Sequence, residues 1–441
     1  MTMLTRDEAK AILEKVMALK EETCDALEAN LGGSRDGNIR YARNTVTTAG
    51  TVDDMTLVVR ADYGKRTGTA TINELDDASL EKVVRRAESI ARLSPENPEL
   101  MPVLGPQEYV DTKAHFDSTA AIDPAYRANA AAASIGPCKK EKLVAAGFLE
   151  DSAGFDAMMN SAGLFAYHPN SEVEFSLTVR TEDGTGSGYV TQDYNDAAKL
   201  DTVTASRIAM DKATMSREAR AIEPGKYTVI LEPAAAIGLL QNMMFNFDAR
   251  QADEGRNFLA KQGGGTKKGD KIVDERVTIY SDPSHPEVPA SPWANDGQAR
   301  RKTPWIEKGV VKNLYCSRYW ASQHEQWEPI PFPANGVMEG GEASLDELIA
   351  GTEKGILVTR LWYIRTVDPQ TLLYTGLTRD GTFYIEKGKI AFPVKNFRFN
   401  ESPVIMLNNL EALGKPQRVG GNLIPPLKVR DFTFTSLSDA V

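Results

Sequence analysis

Few residues of this 441-residue chain could carry out hydrolytic chemistry, because it contains only four histidines and three cysteines. His324-Glu325 begins the segment HEQWE, which has Glu328 where a zinc-binding HExxH helix carries its second histidine. Two imidazoles at i and i+4 share a helix face and can hold one zinc ion. With that second histidine missing, His324, Glu325 and Cys316 are weak catalytic candidates, and His285 lies near them in sequence. Cys316 also fits a buried apolar cysteine.

Composition excludes several classes of function. The 51 Lys+Arg and 61 Asp+Glu give a net charge of −10, which argues against nucleic acid as a partner. No apolar stretch is long enough to span a membrane, and the N-terminal segment MTMLTRDEAKAILEK lacks the apolar region of a signal peptide. Three widely spaced cysteines (Cys24, Cys138 and Cys316) cannot form a disulfide framework. These features predict a cytoplasmic protein that contacts neither membrane nor nucleic acid.

Apolar spacing predicts a mixed helix and antiparallel-sheet domain over residues 1–224. Thr5 and Glu8 form a capping box for a helix whose apolar positions continue to Leu31, so that Gly32-Gly33 is predicted to end it. The acidic pairs Asp76-Asp77 and Glu150-Asp151 are interpreted as helix caps or solvated faces. Further helices are predicted near 76–94, 127–134 and 201–220, and strands at 38–48, 56–61, 66–72, 142–149, 155–167 and 173–179. His115, His168 and His285 are predicted to lie in loops or at the surface.

Glu223-Pro224-Gly225 breaks the chain and is predicted to mark a domain boundary. Strand-like runs and closely spaced turn signals, including Lys308-Gly309, Arg379-Asp380-Gly381 and Lys387-Gly388, predict that residues 225–441 form a β-rich, barrel- or sandwich-like domain. This half also holds predicted helices at 234–247, 344–348 and 403–413. The predicted fold class is therefore α+β.

The order of segments along nearly the whole chain resembles the TldD/PmbA family, whose members have also been described as modulators of DNA gyrase. The matching segments are 40–44 (RYARN), 57–72, 80–93, 159–164 (MNSAGL), 217–220 (REAR), 224–233 (PGKYTVILEP), 295–297 (NDG), 306–315, 354–359 (KGILVT), 375–381 (TGLTRDG), 386–390 (EKGKI) and 396–399 (NFRF).

This resemblance implies a metallopeptidase-related protein. In the family, a TldD subunit carries an HExxxH zinc motif on the helix that follows the strand at 227–231, and a PmbA/TldE subunit lacks it. Here that helix has Gln241, Asn242 and Asn246 at the three motif positions. Neutral amides are weak zinc ligands, and an amide cannot take a proton from water as a carboxylate does. The chain therefore resembles the PmbA/TldE branch, a pseudoenzyme without a cofactor of its own, and zinc is expected only in a TldD-like partner.

Two functions compete on this basis. In the first, the chain is a non-catalytic subunit that pairs with a TldD-like subunit, with itself, or with both, in the proteolysis of unfolded peptides; the helix at Gln241, Asn242 and Asn246 then lines the cleft. In the second, it is a stand-alone hydrolase or modifying enzyme that uses His285, Cys316 and His324, with Glu325 nearby. The second predicts that at least two of these side chains approach within about 4 Å. A DNA-binding modulator is disfavoured by the net charge.

Overall fold

The computed structural model describes residues 3–438. The first half of the chain forms one antiparallel sheet of six strands in the order β3-β2-β1-β4-β5-β6. Its elements are α1 (Arg6–Ala18), β1 (Ala26–Ala42), β2 (Thr45–Tyr63), β3 (Arg66–Ile72), α2 (Asp77–Leu93), α3 (Asp117–Ala120), α4 (Pro124–Lys140), β4 (Leu143–Asn160), β5 (Phe165–Thr181), β6 (Ser187–Tyr194) and α5 (Thr202–Met215).

Two apolar clusters hold the helices on this sheet. In the first cluster α1 and α2 contribute Leu13 and Val84, which pack with Leu57 of β2. In the second, α4 and α5 pack against the side chains of β4 and β5, where Phe175 and Leu177 are fully buried. Alternating burial along β5 matches its sequence pattern, because successive side chains of a strand point to opposite faces.

The first predicted helix is wrong beyond Ala18. Residues Ala26–Ala42 form β1, and Gly32-Gly33 lies inside this strand rather than at a helix end. Leu27 and Leu31 are four residues apart, a spacing that fits one face of a strand as well as one face of a helix. A Cβ atom at Gly33 would come 2.9 Å from a ring carbon of Phe155, so this glycine allows β1 and β4 to pack.

Three other predictions place turns and strands incorrectly. The predicted strand 38–48 crosses the hairpin turn at Arg43-Asn44, where both residues have positive φ, and the predicted strand 155–167 crosses the turn after Asn160. Conversely, Arg379-Asp380-Gly381 is not a turn between strands but an irregular position within one strand. There Asp380 is buried, accepts a hydrogen bond from Ser187 Oγ at 2.6 Å and pairs with Arg360.

Two polar residues predicted to lie at the surface are buried. Asp151 forms a bidentate ion pair with Arg127, at 2.6 and 2.8 Å, beneath α4. His168 lies in β5 with 5% of its surface exposed, beside the Thr112 hydroxyl and the edge of Trp293. By contrast, Asp76 caps α2 as predicted. The partners of Asp151 and His168 are distant in sequence, so local patterns could not reveal them.

Acidification is expected to weaken the fold through His168. Burial lowers its pKa to about 4, from an ordinary value near 6.5. The unfolded chain therefore binds this proton at higher pH than the folded chain, and stability is lost as pH falls from about 6.5 towards 4. Between pH 7 and 4.5 the loss attributable to this residue is about 2 kcal/mol. Urea unfolding at both pH values measures this loss of unfolding free energy. In the variant His168→Gln this part of the pH dependence should disappear. An unchanged dependence of stability on pH in that variant contradicts the assignment.

The second half of the chain is β-rich. Its elements are β7 (Lys226–Leu231), α6 (Pro233–Met244), α7 (Ala249–Asp253), β8 (Ile279–Ser281), β9 (Thr303–Glu307), β10 (Val310–Val311), α8 (Arg318–Gln323), β11 (Val337–Met338), α9 (Leu345–Ala350), β12 (Lys354–Asp368), β13 (Leu373–Glu386), β14 (Lys389–Pro393), β15 (Phe397–Glu401), α10 (Pro403–Asn408), β16 (Leu410–Leu413), β17 (Gln417–Val419), β18 (Asn422–Ile424) and β19 (Leu427–Leu437). The predicted helix 403–413 is thus shorter, because its end is β16.

Five of these strands close into a barrel in the order β12-β7-β19-β15-β13, with β13 pairing back to β12. A second six-stranded sheet, β10-β9-β8-β11-β18-β17, lies beside it, and α6 contributes buried residues such as Leu239 and Met243 to the same apolar core as both sheets. The predicted α+β class with a barrel-like second half is confirmed. Within the described residues, no helix is long and apolar enough to cross a membrane.

Candidate functional site

Helix α6 occupies the centre of the candidate site. It follows β7 directly, with Pro233 in its first turn, where the missing N–H costs nothing. The residue before it, Glu232, accepts a hydrogen bond from Lys212 Nζ of α5 at 2.7 Å and another from the Thr359 hydroxyl at 3.2 Å. These contacts join the start of α6 to the barrel and to the first half of the chain.

Of the three positions singled out, Gln241 and Asn242 lie on α6, whereas Asn246 follows its last residue, Met244, so the predicted helix 234–247 is too long at its end. Asn242 donates from Nδ2 to the carbonyl oxygen of Gly238 at 2.6 Å, and Asn246 donates to the carbonyl of Asn242 at 2.8 Å. Both amide nitrogens are therefore bonded to backbone carbonyls of α6. Gln241 is exposed, and its side chain makes no hydrogen bond to any residue between 3 and 438.

These residues do not fit a zinc ion. An amide offers zinc only a weak, neutral oxygen, and the three positions supply no imidazole, thiolate or carboxylate. In the part of the chain that the structure describes, no three His, Cys, Asp or Glu side chains come together as a metal site either. No hydrolytic step can be assigned to this helix.

The other candidate residues lie outside α6, on later segments of the chain. Cys316 is 2% exposed, and burial raises the pKa of its thiol to about 11, which disfavours the thiolate needed for attack. His324 ends α8 and stacks on Trp320 at 4.0 Å, while Glu325 is exposed. His285 lies on the loop after β8, and its Nδ1 accepts a hydrogen bond from the Glu287 backbone at 3.2 Å. Within residues 3–438, no hydrogen bond connects any two of these four side chains.

A large polar cleft opens at the N-terminal end of α6, between the two halves of the chain. Its volume is about 1330 Å³, and it is bounded by β6, α5 and the loops before α9 and β17. Charged groups of both signs face it, among them Glu232, Lys212 and Arg418. Strand β6 is the last strand of its sheet, and its residues Tyr189–Gln192 border the cleft, so that the cleft borders a sheet edge.

A smaller apolar pocket lies along the C-terminal half of α6. Its volume is about 250 Å³, and Leu240, Trp305 and Met338 are among the side chains that form its walls. Met338 also lines the polar cleft, so the two spaces adjoin. The exposed Gln241 borders this pocket.

Two aromatic rings mark the rim of the apolar pocket. Phe245 and Phe332 stack with ring centroids 5.4 Å apart and planes 6° from parallel. They are 57% and 37% exposed, which is high for large apolar side chains. Tyr315 supports the pair: its ring contacts Phe332 edge-on, and its hydroxyl donates to the carbonyl of Phe245 at 2.9 Å.

A buried ion pair between the two halves of the chain supports one wall of the pocket. Asp193 of β6 accepts hydrogen bonds from the backbone N–H groups of Gly420 and Gly421, at 2.7 and 2.8 Å, and from Arg418 Nε at 2.8 Å. Both glycines have positive φ, and the turn they form places Gly420 and Asn422 on the pocket wall. This network fixes the position of the β17–β18 turn.

Sequence reasoning identified α6 but missed most of the surrounding site. The pair Gly420-Gly421 between two short apolar runs is a turn signal that could have been found. Phe245 and Phe332 could not, since nothing local distinguishes a rim aromatic from a core aromatic. Asp193 also lacked a local signal, because its three partners come from residues more than 200 positions later.

Comparison with known proteins relates the chain to one family. Models of the PmbA/TldA metallopeptidase domain 1, central domain and C-terminal domain match residues 28–91, 113–217 and 224–436 in that order. A protein of Methanothermobacter thermautotrophicus described as a metalloprotease is 24% identical over 295 residues, 61% of this chain. That match spans only 62% of the relative's length.

Solved structures show the same fold. TldE from Thermococcus kodakarensis superposes with a TM-score of 0.86 at 20% identity, covering 96% of this chain and 100% of the other. A candidate modulator of a DNA gyrase from Thermotoga maritima gives a TM-score of 0.86 at 17% identity, covering 97% and 100%. At these identities the likeness shows the fold alone.

Proposed function

Because this chain belongs to the PmbA/TldD metallopeptidase family, we propose that it is the non-catalytic, PmbA/TldE-like subunit of a peptidase. In this proposal it pairs with a zinc-bearing TldD-like subunit and helps enclose the space in which unfolded peptides are cleaved. The zinc belongs to the partner, and the chain by itself is inactive. A cytoplasmic location follows from the same proposal.

The state of α6 carries the proposal. Its Asn242 and Asn246 amides are bonded to the helix backbone, and the helix provides neither a general base nor a set of zinc ligands. The barrel against which it packs is nonetheless complete, and the helix still borders a cleft and a pocket. A scaffold that keeps the space but lacks the reactive groups is suited to holding substrate for a second subunit.

The cleft also offers a means of holding an extended peptide. Strand β6 ends its sheet, so its outer edge has free backbone groups where Tyr189–Gln192 border the cleft. Addition of a peptide strand to such an edge needs only backbone hydrogen bonds and is tolerant of sequence. This tolerance of the backbone contacts suits a substrate that is defined by being unfolded.

The test is to purify the chain alone and together with a TldD-like subunit, then measure zinc and hydrolysis of an unfolded polypeptide. We expect negligible zinc and background hydrolysis for the isolated chain, and co-elution with chelator-sensitive hydrolysis for the pair. Stoichiometric zinc and peptide hydrolysis in the isolated chain would refute the proposal, as would failure to associate with the TldD-like subunit.

A control distinguishes this proposal from a stand-alone hydrolase. The double variant Cys316→Ala/His324→Ala removes two of the groups that such an enzyme would need. If the chain is a non-catalytic subunit, hydrolysis by the pair is unchanged when the variant replaces the natural chain. A loss of activity in the double variant, with association retained, supports the stand-alone chemistry instead. The burial of Cys316 and the raised pKa of its thiol support the first outcome.

A further inference from the structure

The apolar pocket on α6 has the size of one side chain. At about 250 Å³ it exceeds a cavity of about 150 Å³ that accommodates a benzene molecule. It is smaller than the roughly 300–1,000 Å³ of pockets that enclose whole drug-sized ligands. A phenylalanine, leucine or methionine side chain therefore fits, whereas a peptide backbone or a helix does not.

The chemistry of the walls restricts the occupant further. Among the described residues, those that line the pocket include no Asp, Glu, Lys, Arg or His, so a charged side chain would lose its hydration without gaining a partner. Asn335 lies in the wall, but its amide is already used: Nδ2 donates to the carbonyls of Asp282 and Val288. The occupant must be apolar and uncharged.

One polar group at the mouth remains available. Gln241 borders the pocket, is exposed, and makes no hydrogen bond to another described residue. Its amide can both donate and accept, as the backbone of an extended peptide requires. The adjoining polar cleft of about 1330 Å³ leaves room for the rest of such a peptide.

We infer that this pocket binds a single aromatic or long aliphatic side chain of an extended peptide, with Gln241 bonded to the peptide backbone at the mouth. The inference rests on the proposed function, since it identifies which residues of an unfolded peptide the non-catalytic subunit selects. Stacked Phe245 and Phe332 extend the apolar surface at the rim, so the bound side chain covers rings that are otherwise exposed to water. The chain thus supplies sequence preference while its partner supplies the chemistry.

The experiment is calorimetric titration of the isolated, full-length chain with two short capped peptides built from Gly, Ser and Ala. One peptide carries a single Phe, and the matched peptide carries Ala at that position. Full burial of the ring predicts a preference for the Phe peptide of about tenfold to a hundredfold. A more negative heat-capacity change for the Phe peptide is also expected, because apolar surface is buried. Equal affinities for the two peptides overturn the inference.

Variants at the mouth of the pocket test whether the preference for the Phe peptide arises there. Ala334 is exposed at the mouth, so Ala334→Trp should fill the pocket and abolish the preference for Phe without disturbing the core. The matched control Ala128→Trp, on the exposed side of α4, should keep the preference for Phe. Gln241→Ala should lower the affinity for both peptides equally, by several-fold, and leave the ratio of the two affinities unchanged. A preference that persists in Ala334→Trp places the peptide elsewhere and overturns the inference.

The remaining outcomes separate this inference from the proposed function. The titration uses no partner subunit, so failure of the chain to associate with a TldD-like protein leaves the peptide preference measurable. Conversely, if Ala334→Trp blocks association with that protein and the isolated chain shows no preference for Phe, the pocket receives a side chain of the partner. That result overturns the peptide assignment while supporting the subunit role.

Discussion

Replacement of Arg127 by Met is expected to lower the free energy of unfolding by about 3–5 kcal/mol, because it leaves the Asp151 carboxylate buried without its partner. The two side chains are only 4% and 6% exposed, and two parallel N–H···O bonds connect them. The guanidinium also lies where a Cβ atom at position 37 would be, so the glycine at this position leaves room for the arginine. Chemical denaturation followed by circular dichroism measures the effect.

Two variants test the explanation for Arg127. Arg127→Met/Asp151→Leu removes both charges and should recover most of the lost stability, because the penalty comes from the unpaired carboxylate. Arg207 is the matched control: it pairs with Glu141 and Asp211 but is 53% exposed, so Arg207→Met should change stability by no more than about 1 kcal/mol. Equal losses for the two arginines would show that burial does not determine the effect.

Replacement of Asp193 by Ala is expected to have a similarly large effect, about 3–5 kcal/mol, and to disturb the site as well. The carboxylate is 2% exposed and satisfies Arg418, itself only 7% exposed, together with two backbone N–H groups of the Gly420-Gly421 turn. Its loss removes the counter-charge of Arg418, which keeps hydrogen bonds only to Asn195 Oδ1 and the Glu287 carbonyl, and removes the acceptor of the two turn N–H groups. Thermal unfolding should show the decrease in stability.

The effect on the site distinguishes Asp193 from a residue important only for stability. The Gly420-Gly421 turn forms part of the apolar pocket, so Asp193→Ala should reduce the preference for a Phe peptide even at temperatures where the variant is folded. Lys199→Met is the control, because Lys199 and Glu287 also connect the two halves of the chain but are 43% and 52% exposed. That variant should lose less than about 1 kcal/mol and keep its peptide preference. Pocket binding unaffected by Asp193→Ala would contradict the proposed support of the wall.

The proposed role of the chain as a non-catalytic subunit rests on a difference between two parts of one helix. The amides of Asn242 and Asn246 stabilise the helix, whereas Gln241 and the residues around it face open space. A subunit of this kind influences hydrolysis through binding rather than through chemistry. The effect of pocket variants on the pair should accordingly be confined to substrates that carry an apolar side chain.

Local patterns predicted much of the secondary structure. Helix α2 begins after Asp76 as expected, and the strands of the second half follow their turn signals at Lys308-Gly309 and Lys387-Gly388. The errors arose where one pattern suits two structures: Leu27 and Leu31 fit either a helix or a strand, and only pairing with β2 and β4 decides between them. Asp380-Gly381 is a turn signal that tertiary contacts hold within a strand.

What the sequence determined by itself is the family resemblance, the α+β class and the absence of histidine between His168 and His285, which includes α6. These are properties of residue identity and order, and no packing arrangement can alter them. Only the tertiary structure decided that Asp151 and Asp193 are buried and paired, that Cys316 is buried, and that α6 borders both a polar cleft and an apolar pocket. Each of these depends on contacts between residues far apart in the chain, where burial and hydrogen bonding are set by the other elements of the fold rather than by sequence neighbours.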